Sequence, residues 1–185
     1  KTMNTYTIKT DAVKSILLFT AVKDVRYYLK GINVEINTGT LRLTASDGHT
    51  LATYTQEAGN SDNYTLTIPR ESIELAIKAV GKKPSIELDP VHCSLAGIPF
   101  TPLDGNYPNA RRVWEQERTI AETPVLINPE YYARIGKVSK LEGVGYAGIR
   151  LWHMNDAMFF EAGAVRGLIM GMRDCDVNKG DKPGF

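Results

Sequence analysis

Leu41-Arg-Leu-Thr-Ala-Ser-Asp-Gly-His-Thr-Leu-Ala52 decides the reading of the fold, together with the segment that feeds it, Asp24-Val-Arg-Tyr-Tyr-Leu-Lys-Gly31. Both read as a run of strands. Ile32, Val34 and Ile36 alternate with polar residues, as do Leu41, Leu43 and Ala45, and a period of two buries one face of a strand. Asn37-Thr-Gly39 between them is a hairpin turn in which Gly39 is free to take positive φ. Asp47-Gly48-His49 interrupts a strand that resumes at Leu51 and Ala52, and a tight kink there would hold a carboxylate and an imidazole together at a sheet edge. Two readings of that pair stay open: a dyad serving a nucleophile or a metal, as in a small hydrolase, and a turn whose His packs locally. No Ser or Cys stands in a recognisable nucleophile setting, which favours the turn, and no catalytic residue is assigned.

Working outward, 185 residues suffice for a full core, as one domain or two small ones. Hydrophobic residues at 43% and charged residues at 23% are those of an ordinary globular chain. A net charge of +1 excludes a strongly basic protein, so any nucleic-acid contact has to come from cations gathered on one face. No apolar run is long enough to span a bilayer, and no signal-peptide core opens the chain, so no membrane partner is expected. Cys93 and Cys175 stand far apart, which gives a disulfide framework or a zinc site little support. A reduced, cytoplasmic setting without metal or cofactor is the simplest expectation.

A βαβββ pattern recurs three times. In the first unit Tyr6 and Ile8 form a strand, Thr10-Asp11 starts a helix lined by Val13, Ile16, Leu17 and Thr20, and strands run from Tyr28 to Tyr54. In the second, Tyr64 to Ile68 is a strand and Pro69 sits at a helix N-terminus. Ile73, Leu75, Ala76 and Val80 line that helix, Gly81 ends it, and strands follow at 86–88, 93–95 and 98–100. The third opens with the strand Val125-Leu-Ile127. Asn128 then caps a helix with Pro129 at its first position and Tyr132, Ile135 and Val138 turned inward, and three strands end at Met170. Charge-dense Arg111 to Glu122 reads as a linker, and 174–185 as a loose tail. The fold class is α+β: residues 1–116 form a domain of two units, and 117–173 a third, half-domain unit.

The two opening stretches resemble the middle domain of the bacterial sliding clamp, the beta subunit of the replicative DNA polymerase. Asp104-Gly-Asn-Tyr-Pro-Asn-Ala-Arg-Arg-Val113 is similar to that domain's closing segment. Leu168-Ile-Met-Gly-Met-Arg173 resembles the clamp's C-terminus, with Gly171 where the family usually carries proline. Gly148-Ile-Arg-Leu-Trp152 is similar to the opening half of the clamp's last domain, whereas Asn128, Tyr131 and 168–173 look like its closing half. A merger of the two halves would give both signals. The resemblance implies a DNA-clamp-like fold with helices on one face of antiparallel sheets, and a first domain missing from the match.

It also implies two surfaces. One is a slot beside the Asp-Gly-His turn for short linear motifs of polymerases and other clamp clients, formed by Leu29, Ser46, Gly48, His49, Leu51, Pro108, Arg112, Val113, Asn128, Tyr131, Leu168, Ile169, Met170 and Met172. Aliphatic and Met side chains suit an adaptable apolar slot, and His49, Arg112 and Asn128 suit a peptide's polar groups. Thr50 replaces a residue that is usually Arg. The other surface is the helices, turned in clamp rings toward the bore, where cations meet phosphates without reading sequence. Lys14, Lys23, Arg26, Arg70, Lys78, Lys82, Lys83, Arg134, Lys137 and Lys140 are the cations there, diluted by Asp11, Glu71, Glu74 and Glu130, and an ordinary solvated helix face would look similar. Tyr27 and Tyr28 match the family's paired tyrosines, whose faces can meet bases or pack into the core.

The expected function is that of a reduced, non-enzymatic processivity or recruitment factor with weak, sequence-independent affinity for duplex DNA. The alternative is a monomeric adaptor or decoy that occupies clamp-binding motifs without encircling DNA. A clamp ring holds about a dozen units, so a chain of three would need four copies to close one. Because paired units are related by a local two-fold, the copies would meet head to head and tail to tail, with peptide pockets on both faces.

Overall fold

The structure is a computed structural model that describes residues 5–59, 62–115, 119, 125–145 and 148–172. Strand β1 (Tyr6–Lys9) runs directly into helix α1 (Thr10–Leu17), where no side chain caps the helix. Strands β2 (Gly31–Asn37), β3 (Thr40–Ser46) and β4 (Thr50–Glu57) follow. The second unit repeats the order with β5 (Tyr64–Pro69), α2 (Arg70–Val80), β6 (Ser85–Asp89), β7 (Ser94–Leu95) and β8 (Ile98–Pro99). After α3 (Ala110–Glu115) come α4 (Pro129–Leu141), β9 (Arg150–Met154), β10 (Ala157–Ala162) and β11 (Val165–Met170).

Two antiparallel sheets result. One has four strands in the order β1-β6-β7-β8, and the other seven in the order β5-β2-β3-β4-β11-β10-β9. The first two units therefore exchange opening strands: β1 joins the second unit's sheet and β5 joins the first unit's. The third unit enters the large sheet through the β4–β11 ladder, which sets Leu51 opposite Leu168. Helix α1 packs between α2 and α4, so all three helices lie against the same core. That core holds Ile8, Val13, Ile16, Ile32, Val34, Leu43, Ile73, Ile86, Ile135, Val138 and Phe160. Phe19 of the first unit stacks on Phe160 of the third at 5.7 Å, which ties the units together by apolar burial.

Several sequence expectations change. Asp24 to Lys30 is not strand; it turns through a 3-10 segment, Tyr27–Lys30, before β2 begins. Asp24 forces this by accepting bonds from the backbone amide and guanidinium of Arg26 (2.8–3.0 Å), a local alternative to a ladder. Among the described residues Val125–Ile127 joins no ladder; the Leu126 carbonyl instead accepts from Met172 N (2.7 Å). Arg111 to Glu115, expected to begin a linker, lies in helix α3. The rest of that linker, apart from Thr119, and all of 173–185 lie outside the described residues. Leu75 and Tyr132, expected inward, are 54% and 46% exposed. Thr20 lies past the end of α1 and closes it by donating its hydroxyl to Leu17 O (2.9 Å).

Other expectations hold. Asn128 caps α4 by accepting from the Glu130 amide at 2.9 Å, with Pro129 at the first helical position. Gly81 ends α2 at φ 59°. The β2–β3 hairpin turns at Thr38 and Gly39.

Candidate peptide-binding groove

The Asp47-Gly48-His49 turn is a hairpin tip, not a free sheet edge, because β11 covers the other side of β4. Asp47 holds it: Oδ1 accepts from the amides of His49 (3.0 Å) and Thr50 (2.8 Å) and from the Thr50 hydroxyl (2.9 Å). Its Oδ2 takes Arg134 of α4 at 2.7 Å. Burial on its own would raise the Asp47 pKa, but Arg134 and the turn's donors outweigh it and hold the carboxyl below the usual carboxylate range. The Arg134 guanidinium also lies over the Tyr131 ring (4.6 Å), and the His49 ring stacks on Tyr131 at 6.0 Å. Asp47 thus bonds the backbone of His49 and not its imidazole, which leaves no dyad. Among the described residues no cluster of three or more potential metal ligands occurs.

Beside this turn the outer face of the large sheet carries an apolar row. The ladders align Ser46, Leu51, Leu168, Phe159 and Trp152 across β3, β4, β11, β10 and β9. Trp152 stacks on Phe159 (6.4 Å), and Trp114 of α3 meets Phe159 edge-on at 5.9 Å. With Ala110, Ala157 and Val113 these side chains form a second cluster, separate from the main core. Helix α3 roofs only part of it. The remainder opens as a groove of about 360 Å³ with an apolar floor of Leu51, Leu168 and Phe159 on the sheet and Val113 of α3 at its side. Met154 and Met170 also line it, and Gly48, His49, Asn155 and Asp156 supply polar groups.

The end of β11 sets one lip. Met170 N donates to His49 O (2.8 Å), Gly171 N to Asp156 O (2.7 Å) and Met172 N to Leu126 O (2.7 Å), so three segments converge on it. A Cβ at Gly171 would lie 2.5 Å from Asp156 O and 2.8 Å from Val125 Cγ1, so only glycine fits this path. The Asp104–Val113 segment is anchored by Tyr107, whose hydroxyl accepts from Ser46 N (2.9 Å) and donates to Gly31 O (3.4 Å). Burial pushes its phenol well above the usual value. A larger recess of about 410 Å³ beside β2 and β5 is lined mainly by Asn, Thr, Arg and Glu side chains and offers no comparable apolar floor.

Residues 3–109 match the family model described as DNA polymerase III beta subunit, central domain. The chain belongs to that family. A beta sliding clamp of Pseudomonas aeruginosa is 37% identical over 102 residues, which cover 50% of this chain and 28% of the relative. One of Proteus mirabilis is 31% identical over 144 residues, 71% of this chain and 39% of the relative. The match therefore spans well under half the length of these curated relatives. A crystal structure of the Pseudomonas aeruginosa sliding clamp with ligand superposes at TM-score 0.68 with 17% identity, covering 91% of this chain and 66% of that one. The beta subunit of Thermotoga maritima gives 0.68 at 14% identity, over 91% and 65%. The clamp fold follows.

In this beta-subunit homologue, eight of the residues expected from sequence line the groove: Ser46, Gly48, His49, Leu51, Pro108, Val113, Leu168 and Met170. The other six sit elsewhere. Leu29 and Ile169 are buried at 1% and 0%, Asn128 caps α4, and Tyr131 backs His49. Arg112 and Met172 are exposed. The sequence reading missed the β9–β10 side of the groove, Met154 to Ala157 and Phe159. Asn155-Asp156 is a hairpin turn signal, with Asn155 at φ 52°, and it was the clue available. Arg26, read as a DNA contact, reaches the groove instead, paired with Asp24 and against Gly48.

The other cations divide in two. Lys14 pairs with Asp11 (3.0 Å), and Arg70 bonds Glu74 (2.8 Å) and the Thr20 hydroxyl (2.6 Å), while Arg134 is held by Asp47. Lys23, Lys78, Lys82, Lys83, Lys137 and Lys140 are exposed. Tyr27 is 51% exposed, whereas Tyr28 is half-buried against Tyr107.

Proposed function

We propose that this chain is a clamp-type recruitment and processivity factor that takes short linear motifs of replication or repair proteins in the groove beside the Asp47–His49 turn. The observation that carries the reading is the half-roofed apolar row: Leu51, Leu168 and Phe159 form a floor that an aliphatic or aromatic anchor fills. Met170 and Met154 adapt at its lips, and His49, Asn155 and Asp156 meet the polar backbone of an extended peptide. No step of catalysis is assigned to it.

A peptide of the Gln-x-x-Leu-Phe kind tests this by calorimetry. Micromolar-scale binding is expected, because few residues supply all of the energy. Met170→Ala with Leu51→Ala should weaken it by about 2–4 kcal/mol; unchanged affinity removes the groove from the proposal. Duplex DNA is the second partner, met through the exposed lysines of α2 and α4 and encircled by an oligomer, with a tetramer favoured by unit counting. The ion pairs that occupy Lys14, Arg26, Arg70 and Arg134 favour the competing reading, a monomeric adaptor that holds motifs away from DNA. Light scattering with and without DNA separates the two: a monomer under both conditions supports the adaptor.

A further inference from the structure

The first two units complete each other by a fixed rule. In each, the residue before the helix N-cap is a buried isoleucine, Ile8 or Ile68, at the end of an opening strand. That strand pairs antiparallel with the first strand after the other unit's helix. The registers agree: the N-cap residue faces the first residue of the acceptor strand, Lys9 opposite Ser85 and Pro69 opposite Gly31. The isoleucine then faces the second, Ile8 opposite Ile86 and Ile68 opposite Ile32, and both acceptor isoleucines are 1% exposed.

The third unit carries both halves of this arrangement with neither filled among the described residues. Its helix leaves an extended N-cap, Asn128 (φ −61°, ψ 121°), as do the others at Lys9 (φ −61°, ψ 123°) and Pro69 (φ −58°, ψ 139°). The residue before it is again isoleucine, Ile127, and Val125-Leu-Ile127 is strongly β-prone yet lies in no ladder. Among the described residues strand β9, the first after α4, pairs with β10 alone. None of its five residues is buried, whereas β2 and β6 each hold buried residues at the matching positions. Its second residue, Leu151, stands where the other units bury Ile86 and Ile32, on the same face of the sheet as Phe160, and is 38% exposed. Leu126 O is taken by Met172 N (2.7 Å), but the alternate residues Val125 and Ile127 present their backbone groups to the other side, where no described residue pairs with them. An open acceptor edge and a donor strand with one edge unpaired are self-complementary.

We propose that the third unit is completed by the third unit of a second copy of this chain. About a two-fold axis, Val125–Ile127 of each copy adds antiparallel to β9 of the other. The shared register sets Asn128 opposite Arg150, Ile127 opposite Leu151, Leu126 opposite Trp152 and Val125 opposite His153. The local two-fold of the first two units becomes an exact two-fold between copies, which satisfies an exposed edge that otherwise invites unspecific pairing.

The pairing segments adjoin the groove at Trp152 and Leu126, but Leu151 lies on the opposite face of β9 and lines no part of the groove. Sedimentation of the full chain and of a Leu151 variant therefore tests the pairing independently of peptide binding. The expected mass is that of two copies or a multiple of two. Leu151→Glu, at a position already exposed, should raise the self-dissociation constant at least tenfold while peptide titration and circular dichroism stay as in the parent. Leu75→Glu on α2 should leave the mass unchanged. For the geometry, Val125→Cys with His153→Cys in a Cys93→Ser, Cys175→Ser background places the new thiols directly opposite, with Cβ atoms about 5 Å apart. Oxidation should then link two copies in the double variant and in neither single one. A parent chain that stays monomeric at the highest concentration reached overturns the proposal. So does an oligomer indifferent to Leu151→Glu, or one in which the double variant fails to cross-link.

Discussion

At the scale of single residues, Asp47 decides the shape of the groove. It is a mostly buried carboxylate bonded by three donors of its own turn and by a guanidinium from a distant helix. Removing Arg134 leaves that charge with only the turn's donors. Arg134→Ala is therefore expected to lose about 1–3 kcal/mol of stability at neutral pH. The pH dependence follows in sign. The folded carboxyl titrates below its unfolded value of about 3.9, so the stabilisation is present above that pH and lost as pH falls through the folded value. In Arg134→Ala, denaturant unfolding should show a flatter decline of stability through the same acid range. A parent-like slope would mean that Arg134 is not what depresses Asp47. Gly171 is the second such residue: Gly171→Ala would press a methyl group on Asp156 O and displace the Met170 lip. Peptide affinity should fall well before global stability does, as paired calorimetry and thermal melts would show.

At the scale of elements, α4 links the main core to the groove. Ile135 and Val138 anchor it inward while Tyr131 and Arg134 brace the turn that carries His49. Its N-terminus depends on the Asn128 side chain, so Asn128→Ala should cost about 1 kcal/mol. Because Tyr131 sits in the first turn, that loss should loosen the His49 side of the groove too. Weakened peptide binding with near-parental global stability is the expected pattern, measured by titration beside chemical denaturation. Equal losses in both would assign Asn128 to folding alone.

At the scale of the molecule, three helices packed side by side present what exposed cations they have to solvent. Phosphate contacts of that kind give affinity that is indifferent to sequence and falls steeply with salt. Reversing charge at Lys78, Lys82 and Lys137 should weaken duplex binding at low salt and reduce the slope against salt concentration by up to about three contacts. A triple variant that binds like its parent would mean that the helices do not face DNA.

The sequence by itself determined most elements of the chain and their order, because those follow from local causes. It misread Asp24 to Lys30 and Val125–Ile127, where a side-chain bond and a tertiary contact take the place of a ladder. Alternation buries one face of each strand, Asn128-Pro129 and Gly81 mark helix ends, and Asn37 to Gly39 marks a hairpin. The sequence also marked the turn and half of the groove, since Ser46 to Leu51 and Leu168 to Met170 lie in its most recognisable stretches. What it could not decide is which strands become neighbours. Leu51, Leu168, Phe159 and Trp152 form one row only because β4 pairs with β11 and β11 with β10, and such pairings have no signature in local pattern. The same holds for the cations. Lys78 and Arg70 look alike as charges on a helix, but tertiary packing alone sets Arg70 against Thr20 and Arg134 against Asp47, consuming donors that composition counts as free.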